Sequence, residues 1–548
     1  MKILKFSLFL LFSIASFALK ATNYYINTVI GNDANKSTTN TQPYKTIEPI
    51  NSLKLLPGDS VLFASGQQFY GMLSLINVKG LAKQPIVISS YQYNNNLAKP
   101  VLDAGKKLNA ILIQNCSFVT VKGIEITALT PYQNTDASKK SLLRCGILVE
   151  VTKGEEFQNI ILSSLTVHDV YYNAPGFVRQ ASEVQTANGT QNYGWGIRFI
   201  NNTKSGILAN IQVLQSEIFN VSHTGLKFTA TPGGIKQIIV AYCNIHETGG
   251  PGMQASGVTD GHIYRNKINH SGSTKDSRNW GRGSGFWTWS CSNILIEYNR
   301  FENANGPGDS AGIHIDYNCN NVVVQYNVSA NNAGGFCEIL GNNYNCAYRY
   351  NISVNDGYRV KGINGAFQEG KIFWLSGYQG DKQPKSGPFN SYFYNNSIYV
   401  AANLIPKVAI TTSANGVLVA NNIFYFESDA QLVAGDQKKK EAEVEDAKNI
   451  FFKNNLFLKA SNWPKDVSIQ DAAPVIGNPA FTNKGGLEIA DYTPTNKKLI
   501  QNKGINIQPI SNDKIGLMGG LQVDKDILGS TIEGLPDLGA IEIKDTKK

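Results

Sequence analysis

Through the middle of the chain, apolar and polar positions alternate in short runs that each begin on glycine. The clearest are Gly225-Leu-Lys-Phe-Thr, Gly252-Met-Gln-Ala-Ser, Gly285-Phe-Trp-Thr-Trp, Gly312-Ile-His-Ile-Asp and Gly335-Phe-Cys-Glu-Ile, with earlier echoes at Gly146-Ile-Leu-Val-Glu and Gly196-Ile-Arg-Phe-Ile. Behind each of the five comes a second short run ending in asparagine, at Asn244, Asn266, Asn299, Asn327 and Asn351, and weaker copies end at Asn396, Asn422 and Asn455. Alternation with period two predicts strands. Short strands and turns repeating every few tens of residues, without helical spacing, predict an all-β solenoid that grows along one axis.

Alternation also assigns faces. The residues that follow glycine, Leu226, Met253, Phe286, Ile313 and Phe336, are the expected core. The second positions then form an outward column, Leu148, Arg198, Lys227, Gln254, Trp287, His314 and Cys337. The fourth positions form its neighbour, Glu150, Ile200, Thr229, Ser256, Trp289, Asp316 and Ile339. Glu338 falls at an apparently inward position, so either a bulge turns it out or it is a buried carboxylate that needs a partner. A face carrying an arginine, a lysine, two tryptophans, a histidine and an aspartate differs from a merely solvated one.

Outside the body the pattern changes. Lys2 and Lys5 precede an apolar run from Phe6 to Leu19 with small residues Ser16 and Ala18 near its end, which predicts a secretory signal peptide over 1–21 and an exported mature chain. Residues 22–100 read as a cap and first coils: strands at Tyr24–Ile26, Ser60–Phe63 and Ile86–Ser90, and a short helix from about Thr46 to Leu55 that covers the open end. The body runs over 101–460, and 461–548 forms the last coils and a segment packing back along them. Departures from the period at Thr130–Leu143, Gly176–Tyr193, Asn269–Gly283 and Gly357–Gly370 mark loops that wall one side of the solenoid.

Composition adds little. The 51 glycines and 19 prolines suit a chain that turns often. A formal charge of +9 favours an acidic partner such as a polyanionic glycan, although part of the excess sits in Lys438-Lys-Lys, and no nucleic-acid motif accompanies it. Seven cysteines are too few for a disulfide framework. Cys291 and Cys319 align on neighbouring coils within disulfide reach, Cys346 competes with that pairing, and stacked free thiols satisfy the same alignment.

Tyr24-Tyr25-Ile-Asn, Gly31-Asn-Asp, Pro43-Tyr-Lys-Thr-Ile, Leu56-Pro-Gly-Asp-Ser-Val-Leu-Phe and Pro85-Ile-Val-Ile-Ser resemble, in this order, the opening of secreted bacterial right-handed parallel β-helix proteins of the pectate-lyase superfamily. Leu535-Pro-Asp-Leu-Gly-Ala-Ile-Glu542 is similar to their closing strand. The resemblance implies a single-stranded right-handed parallel β-helix and a carbohydrate ligand. That superfamily holds polysaccharide lyases, glycoside hydrolases, esterases and adhesins, so fold alone does not select the activity.

The outward columns select among these. Glycosidic hydrolysis needs two carboxyl groups, and Asp316, Glu338 and Asp309 lie within two coils. The expected catalytic set is Asp316 with Glu338 or Asp309 as the second carboxylate and His314 as neighbour. Trp287 and Trp289 offer flat faces to sugar rings, with Lys227, Arg198, Gln254, His223 and His246 alongside and Tyr344, Arg349 and Trp374 in support. The expected protein is a monomeric, secreted glycoside hydrolase acting on a polysaccharide or oligosaccharide, with no required cofactor. A polysaccharide lyase is the alternative, with Lys227 and Arg198 acting on a uronate and calcium held by Asp309, Asp316 and Glu338. A non-catalytic glycan-binding β-helix is the third reading.

Overall fold

The computed structural model describes residues 21–132, 143–174, 194–272, 282–380, 382–433, 448–465 and 469–544. The predicted signal peptide over 1–21, apart from its last residue, most of the first three predicted loops and the Lys438 charge run lie outside them. Among the described residues no helix is long and apolar enough to cross a membrane.

The described strands form three parallel sheets of 14, 12 and 14 strands, and each coil contributes one strand to each sheet in turn. One coil runs from Phe286–Trp289 through Ser292–Glu297 and Arg300–Glu302 to Ile313–Ile315. We term the sheet containing Ser292–Glu297 the first, that containing Arg300–Glu302 the second, and that containing the glycine-led strands the third. Side chains of period two fill the interior, where Phe286, Ile294, Ile296, Phe301, Ile313 and Ile315 belong to one continuous apolar core. Aromatic residues stack along the axis within it, as in Phe199 on Phe228 at 4.9 Å and Tyr348 on Phe393 at 5.4 Å between ring centroids.

Two repeated residues hold the corners. The glycine that leads the repeated third-sheet strands sits where the chain enters from the second sheet. A Cβ there would lie 2.6 Å from Val167 Cγ1 at Gly146, from Ile218 Cγ2 at Gly196 and from Ile245 Cγ2 at Gly225, so close packing excludes any side chain. The asparagines form a ladder in the turn between first and second sheets. Asn266, Asn299, Asn327, Asn351, Asn396 and Asn422 each pass Nδ2 to the Oδ1 of the next asparagine at 2.8–3.1 Å, and Asn455 ends the run on Asp471 at 2.7 Å. The expected first member, Asn244, begins the strand Asn244–Thr248 instead. Cys243 holds the ladder position before Asn266, its backbone N–H donating to Asn266 Oδ1 at 2.9 Å.

At the N-terminal end the strands Asn23–Ile26, Ser60–Ala64 and Ile86–Tyr91 stand where they are predicted. The helix is a single turn, Glu48–Asn51, shorter than the predicted span because Leu56-Pro-Gly-Asp follows closely. It still covers the end: Ile47 and Ile50 enter the core. Asn51 accepts from Ser74 N and donates to Met72 O, both at 2.8 Å, at the strand that ends the third sheet.

Beyond Val475–Ile476 the chain returns along the outside of the first sheet, where Asn345 donates to Asp513 Oδ1 at 2.9 Å, Tyr394 to Leu521 O at 2.7 Å and Tyr326 to Lys525 O at 2.8 Å. The expected closing strand at Leu535–Glu542 is an irregular, bent segment outside the sheets, held by Gly539 N–H on Asn421 O and Ala540 N–H on Ser397 Oγ. All seven cysteines are buried free thiols, so Cys291 and Cys319 are not covalently linked; their sulfurs hydrogen bond to Ala255 O and Trp289 O, and to Thr288 and Tyr317 O, respectively.

Candidate active site

The predicted outward columns exist and run along the third sheet. Leu148, Arg198, Lys227, Gln254, Trp287 and His314 pair in register, strand to strand, as do Glu150, Ile200, Thr229, Ser256 and Trp289. They leave the interior, but Arg198, Lys227, Gln254 and His314 are not open to solvent as expected, being 5%, 6%, 4% and 2% exposed. Trp195 is one of the side chains that shelter this face, with the Arg198 guanidinium 4.5 Å from its ring centroid.

The register changes at Gly335. Ala311 bridges to Gly335 and Ile315 pairs with Ile339, so Phe336, not Gly335, takes the place of Gly312. One residue of offset reverses the faces. Cys337 and Ile339 join the core instead of the outward columns, and Glu338 stands beside His314 on the outer side. Glu338 is therefore outward without a bulge, and it is also buried, at 2% exposure. The next strand sets Trp374 beside it.

His314 is the hub. Its Nδ1 lies 3.5 Å from Glu338 Oε2 and its Nε2 lies 4.0 Å from Asp316 Oδ2. Both are ion-pair distances, and among the described residues neither ring nitrogen has a partner at closer hydrogen-bond geometry. Burial disfavours a charged ring, but Glu338, Asp316 and Asp309 outweigh it and raise the histidine pKa.

Asp316 follows the strand directly, its N–H donating to Thr288 O at 3.1 Å. Its side chain is 24% exposed. Burial and the nearby carboxylates lift its pKa to about 6 against the pull of His314 and Arg282. Asp309 sits in the turn before the same strand with φ +42°, and its side chain is 18% exposed. Burial pushes its pKa up, but Arg282, His314, Arg359 and Lys371 together bring it below the ordinary value.

Arg282 Nη1 reaches Asp309 Oδ2 at 3.1 Å. Arg359 donates Nη1 to the backbone carbonyls of Gly306 and Asp309 at 2.9 Å each, and Gln368 Oε1 accepts from Asp309 N–H at 2.6 Å. The Asp309 turn is thus clamped by the loop Gly357–Gly370. That loop is fastened to the next coil by Lys407, whose Nζ donates to Arg359 O at 2.7 Å and pairs with Glu369 at 3.4 Å. Arg282, Arg359, Gln368 and Lys371 were absent from the sequence expectation. Their signal was the loop length itself, since Arg282 and Arg359 lie at departures from the period.

Trp287 and Trp289 flank the carboxylates on the preceding coil. Their rings are 6.4 Å apart at 78°, the Trp287 ring lies 6.1 Å from His314, and Trp289, tilted against Tyr317 at 4.8 Å, is 41% exposed. His223 lies in the turn before the Lys227 strand with its ring 5.1 Å from Trp195.

Three predicted binding residues stand elsewhere. His246 is a strand residue of the second sheet, stacked on Phe219 and 3.2 Å from Glu217. Tyr344 lies on the first sheet against Phe389 at 4.8 Å. Arg349 lies on the first sheet too, donating to Gln325, Tyr394 and Gly520 O under the returning C-terminal segment. Among the described residues no group of three or more His, Cys, Asp or Glu side chains is placed to hold a metal ion.

No protein-family profile matches the chain. It is 24% identical to a lacto-N-biosidase of Bifidobacterium longum subsp. longum over 621 aligned positions, which take in 95% of this chain. The chain spans 36% of that relative's length. Crystal structures of a GH136 lacto-N-biosidase from Eubacterium ramulus superpose with TM-scores of 0.54 (native) and 0.53 (selenomethionine derivative), at 22% and 23% identity, over 75% of this chain and 68% of theirs. The fold is a right-handed parallel β-helix.

Proposed function

We propose that the chain is a secreted glycoside hydrolase that cleaves oligosaccharides on the outer face of its third sheet. The observation that carries the reading is the pair Asp309 and Asp316. They are the two partly exposed carboxylates of the cluster, they flank one strand, and their surroundings drive their proton affinities apart. Two carboxyl groups separated in this way are the requirement of glycoside hydrolysis. Asp316, with a pKa near 6, is the general acid that protonates the leaving oxygen. Asp309, held anionic by Arg282, acts on the anomeric centre or its water. His314 and Glu338 are positioning residues, since the carboxylate of Glu338 is too buried to meet a sugar. Trp289, with Trp287 behind it, is the sugar platform. The likeness to lacto-N-biosidases supports hydrolysis and directs the choice of first substrates.

A second reading rests on Lys227. Burial and Arg198 push its pKa well down, and a depressed lysine beside an arginine suits proton abstraction in a polysaccharide lyase. One experiment separates the readings: incubate the chain with lacto-N-biosidase substrates and a panel of neutral and acidic oligosaccharides. New reducing ends without ultraviolet absorbance, lost in Asp316→Asn and in Asp309→Asn, support hydrolysis. An absorbing unsaturated product, lost in Lys227→Met, supports elimination, and binding without product removes both.

A further inference from the structure

Beside the carboxylates stands an exposed ring, Phe367, that the proposed reaction does not use. Its loop, Gly357–Gly370, joins the second-sheet strand Ile352–Val354 to the third-sheet strand Lys371–Leu375, and so lies at the corner where the chain enters the third sheet. There it folds back over Gly306-Pro-Gly-Asp309. Phe367 N–H donates to Pro307 O at 3.0 Å, and Gln368 Oε1 accepts from Asp309 N–H at 2.6 Å. Between these two bonds the tip of the Phe367 ring rests on Gly308, where a Cβ would lie 2.1 Å from Cζ and 2.4 Å from Cε2. The glycine is what lets the ring come so near Asp309. Phe367 remains 38% exposed.

The opposite edge of the third sheet also carries an exposed ring. Trp289 ends the strand Phe286–Trp289, where the chain leaves for the first sheet, and Asp316 lies one coil on in the same column. Asp309 beside Phe367 and Asp316 beside Trp289 therefore fall between the two rings. Along the helix axis the row through His314 is closed: Gln254 and Lys227 are buried on one side, Glu338 and Trp374 on the other. Across the sheet both ends are open.

We propose that Phe367 is a second sugar platform, and that the glycan crosses the third sheet along the strand direction with one sugar on Trp289, one on Phe367 and the scissile bond between them. Three residue spacings from Phe286 to Trp289 set the width at about 10 Å, which a short oligosaccharide bridges. An aromatic face without a charged neighbour in the contact selects a neutral sugar ring that turns its apolar face inward. The place of the scissile bond rests on the hydrolase reading; the contact of a sugar with Phe367 does not depend on turnover.

The test uses the full chain carrying Asp316→Asn, so that no ligand is consumed, and the neutral oligosaccharides of the hydrolysis panel, each also shortened one sugar at a time from either end. Calorimetry is expected to show about tenfold weaker binding on adding Phe367→Ala, the size of one lost apolar stacking contact. Phe367→Leu keeps an apolar side chain over Gly308 without a flat face and is expected to lose most of the same affinity; full affinity in that variant overturns the platform. The loss is expected to vanish for ligands shortened at one end, and the loss from Trp289→Ala for ligands shortened at the other. Both vanishing at the same end overturns the crossing. With Asp316 restored, Phe367→Ala is expected to raise KM and keep kcat within a fewfold, whereas a fall in kcat with affinity unchanged would make Phe367 only a brace for Asp309. Val360 and Ile363 are exposed on the same loop, and self-association would cover them together with Phe367; a dimer by light scattering that dissociates in Phe367→Ala also overturns the platform. The hydrolase reading fails on a different result, ligands that bind the unmodified chain and yield no reducing ends, and the effect of Phe367 on their binding is still measured. Absence of binding by every ligand overturns both.

Discussion

Glu338 stands beside His314 on the adjacent strand, its Oε2 3.5 Å from the imidazole Nδ1, and both side chains are almost completely buried. A carboxylate there fixes which way the ring faces and holds its proton, leaving Nε2 turned toward Asp316. Glu338→Gln keeps the shape and removes the charge. The pKa of His314 is raised in the folded chain, so its contribution to stability is complete below the unfolded histidine pKa and fades as pH rises through the folded one. The variant is thus expected to melt below the parent at acidic pH, with the deficit shrinking as pH rises. Its kcat is expected to fall about tenfold or more, with KM changed much less. A thermal melt series against pH and one kinetic profile check both, and a deficit independent of pH would remove the charge argument.

Asp316 makes an opposite prediction for stability. Its folded pKa of about 6 lies above the ordinary aspartate value of 3.8, so the folded chain is favoured most below pH 4 and loses that advantage as pH rises toward 6. Asp316→Asn escapes the loss. Its melting temperature relative to the parent is expected to climb between pH 4 and 6 and then level off, a gain of at most about 3 kcal/mol from the shift alone. The same residue as general acid gives a parent kcat/KM that falls tenfold per pH unit above about pH 6, while the variant loses about a hundredfold or more at the optimum. A variant that is destabilised at pH 7 and still active would contradict both halves.

Trp289 separates binding from folding. With 41% of its surface exposed, its ring sits at the outer edge of the Trp287 and Tyr317 contacts. Trp289→Ala is expected to raise KM about tenfold with kcat within a fewfold. Denaturant midpoints should stay within about 1 kcal/mol of the parent, because little apolar surface is uncovered. A large loss of stability instead would make Trp289 a packing residue.

How far the chain revealed this in advance follows from where each signal is stored. The solenoid and its outward columns were legible because period two and the glycine repeat are local, and Lys227, Gln254, Trp287 and His314 do share one row. Glu338 reads as inward from the glycine repeat because Gly335 is out of step with the strand register, although its burial and its need for a partner are as expected. The glycines are fixed by contact with second-sheet side chains such as Ile245, a long-range fact, and Gly335 happens to stand one residue early. The clamp on Asp309 was invisible for a similar reason. Arg359 reaches it from a loop whose path no repeat encodes. Arg349 is covered because residues beyond 500 return over the first sheet, which nothing in the period announces, whereas Tyr344 stays exposed but on the first sheet, away from the carboxylates.

Asn327 tests what holds the coils in line. Its Nδ2 donates to Ile296 O at 2.9 Å, Gln325 O at 2.8 Å and Asn351 Oδ1 at 3.1 Å, while its Oδ1 accepts from the backbone and side chain of Asn299. It is fully buried. Asn327→Ala therefore strands buried donors and acceptors on both neighbouring coils, each worth about 1–3 kcal/mol, and the expected loss is on the order of 3–5 kcal/mol. Asn327→Asp restores the acceptor but removes both Nδ2 hydrogens, so it should destabilise too, and increasingly as pH rises and the carboxyl ionises beside three carbonyl-type oxygens. Urea midpoints for the two variants at pH 5 and pH 8 read this out. Equal losses for both at both values would mean that the ladder acts through shape and not through its hydrogen bonds.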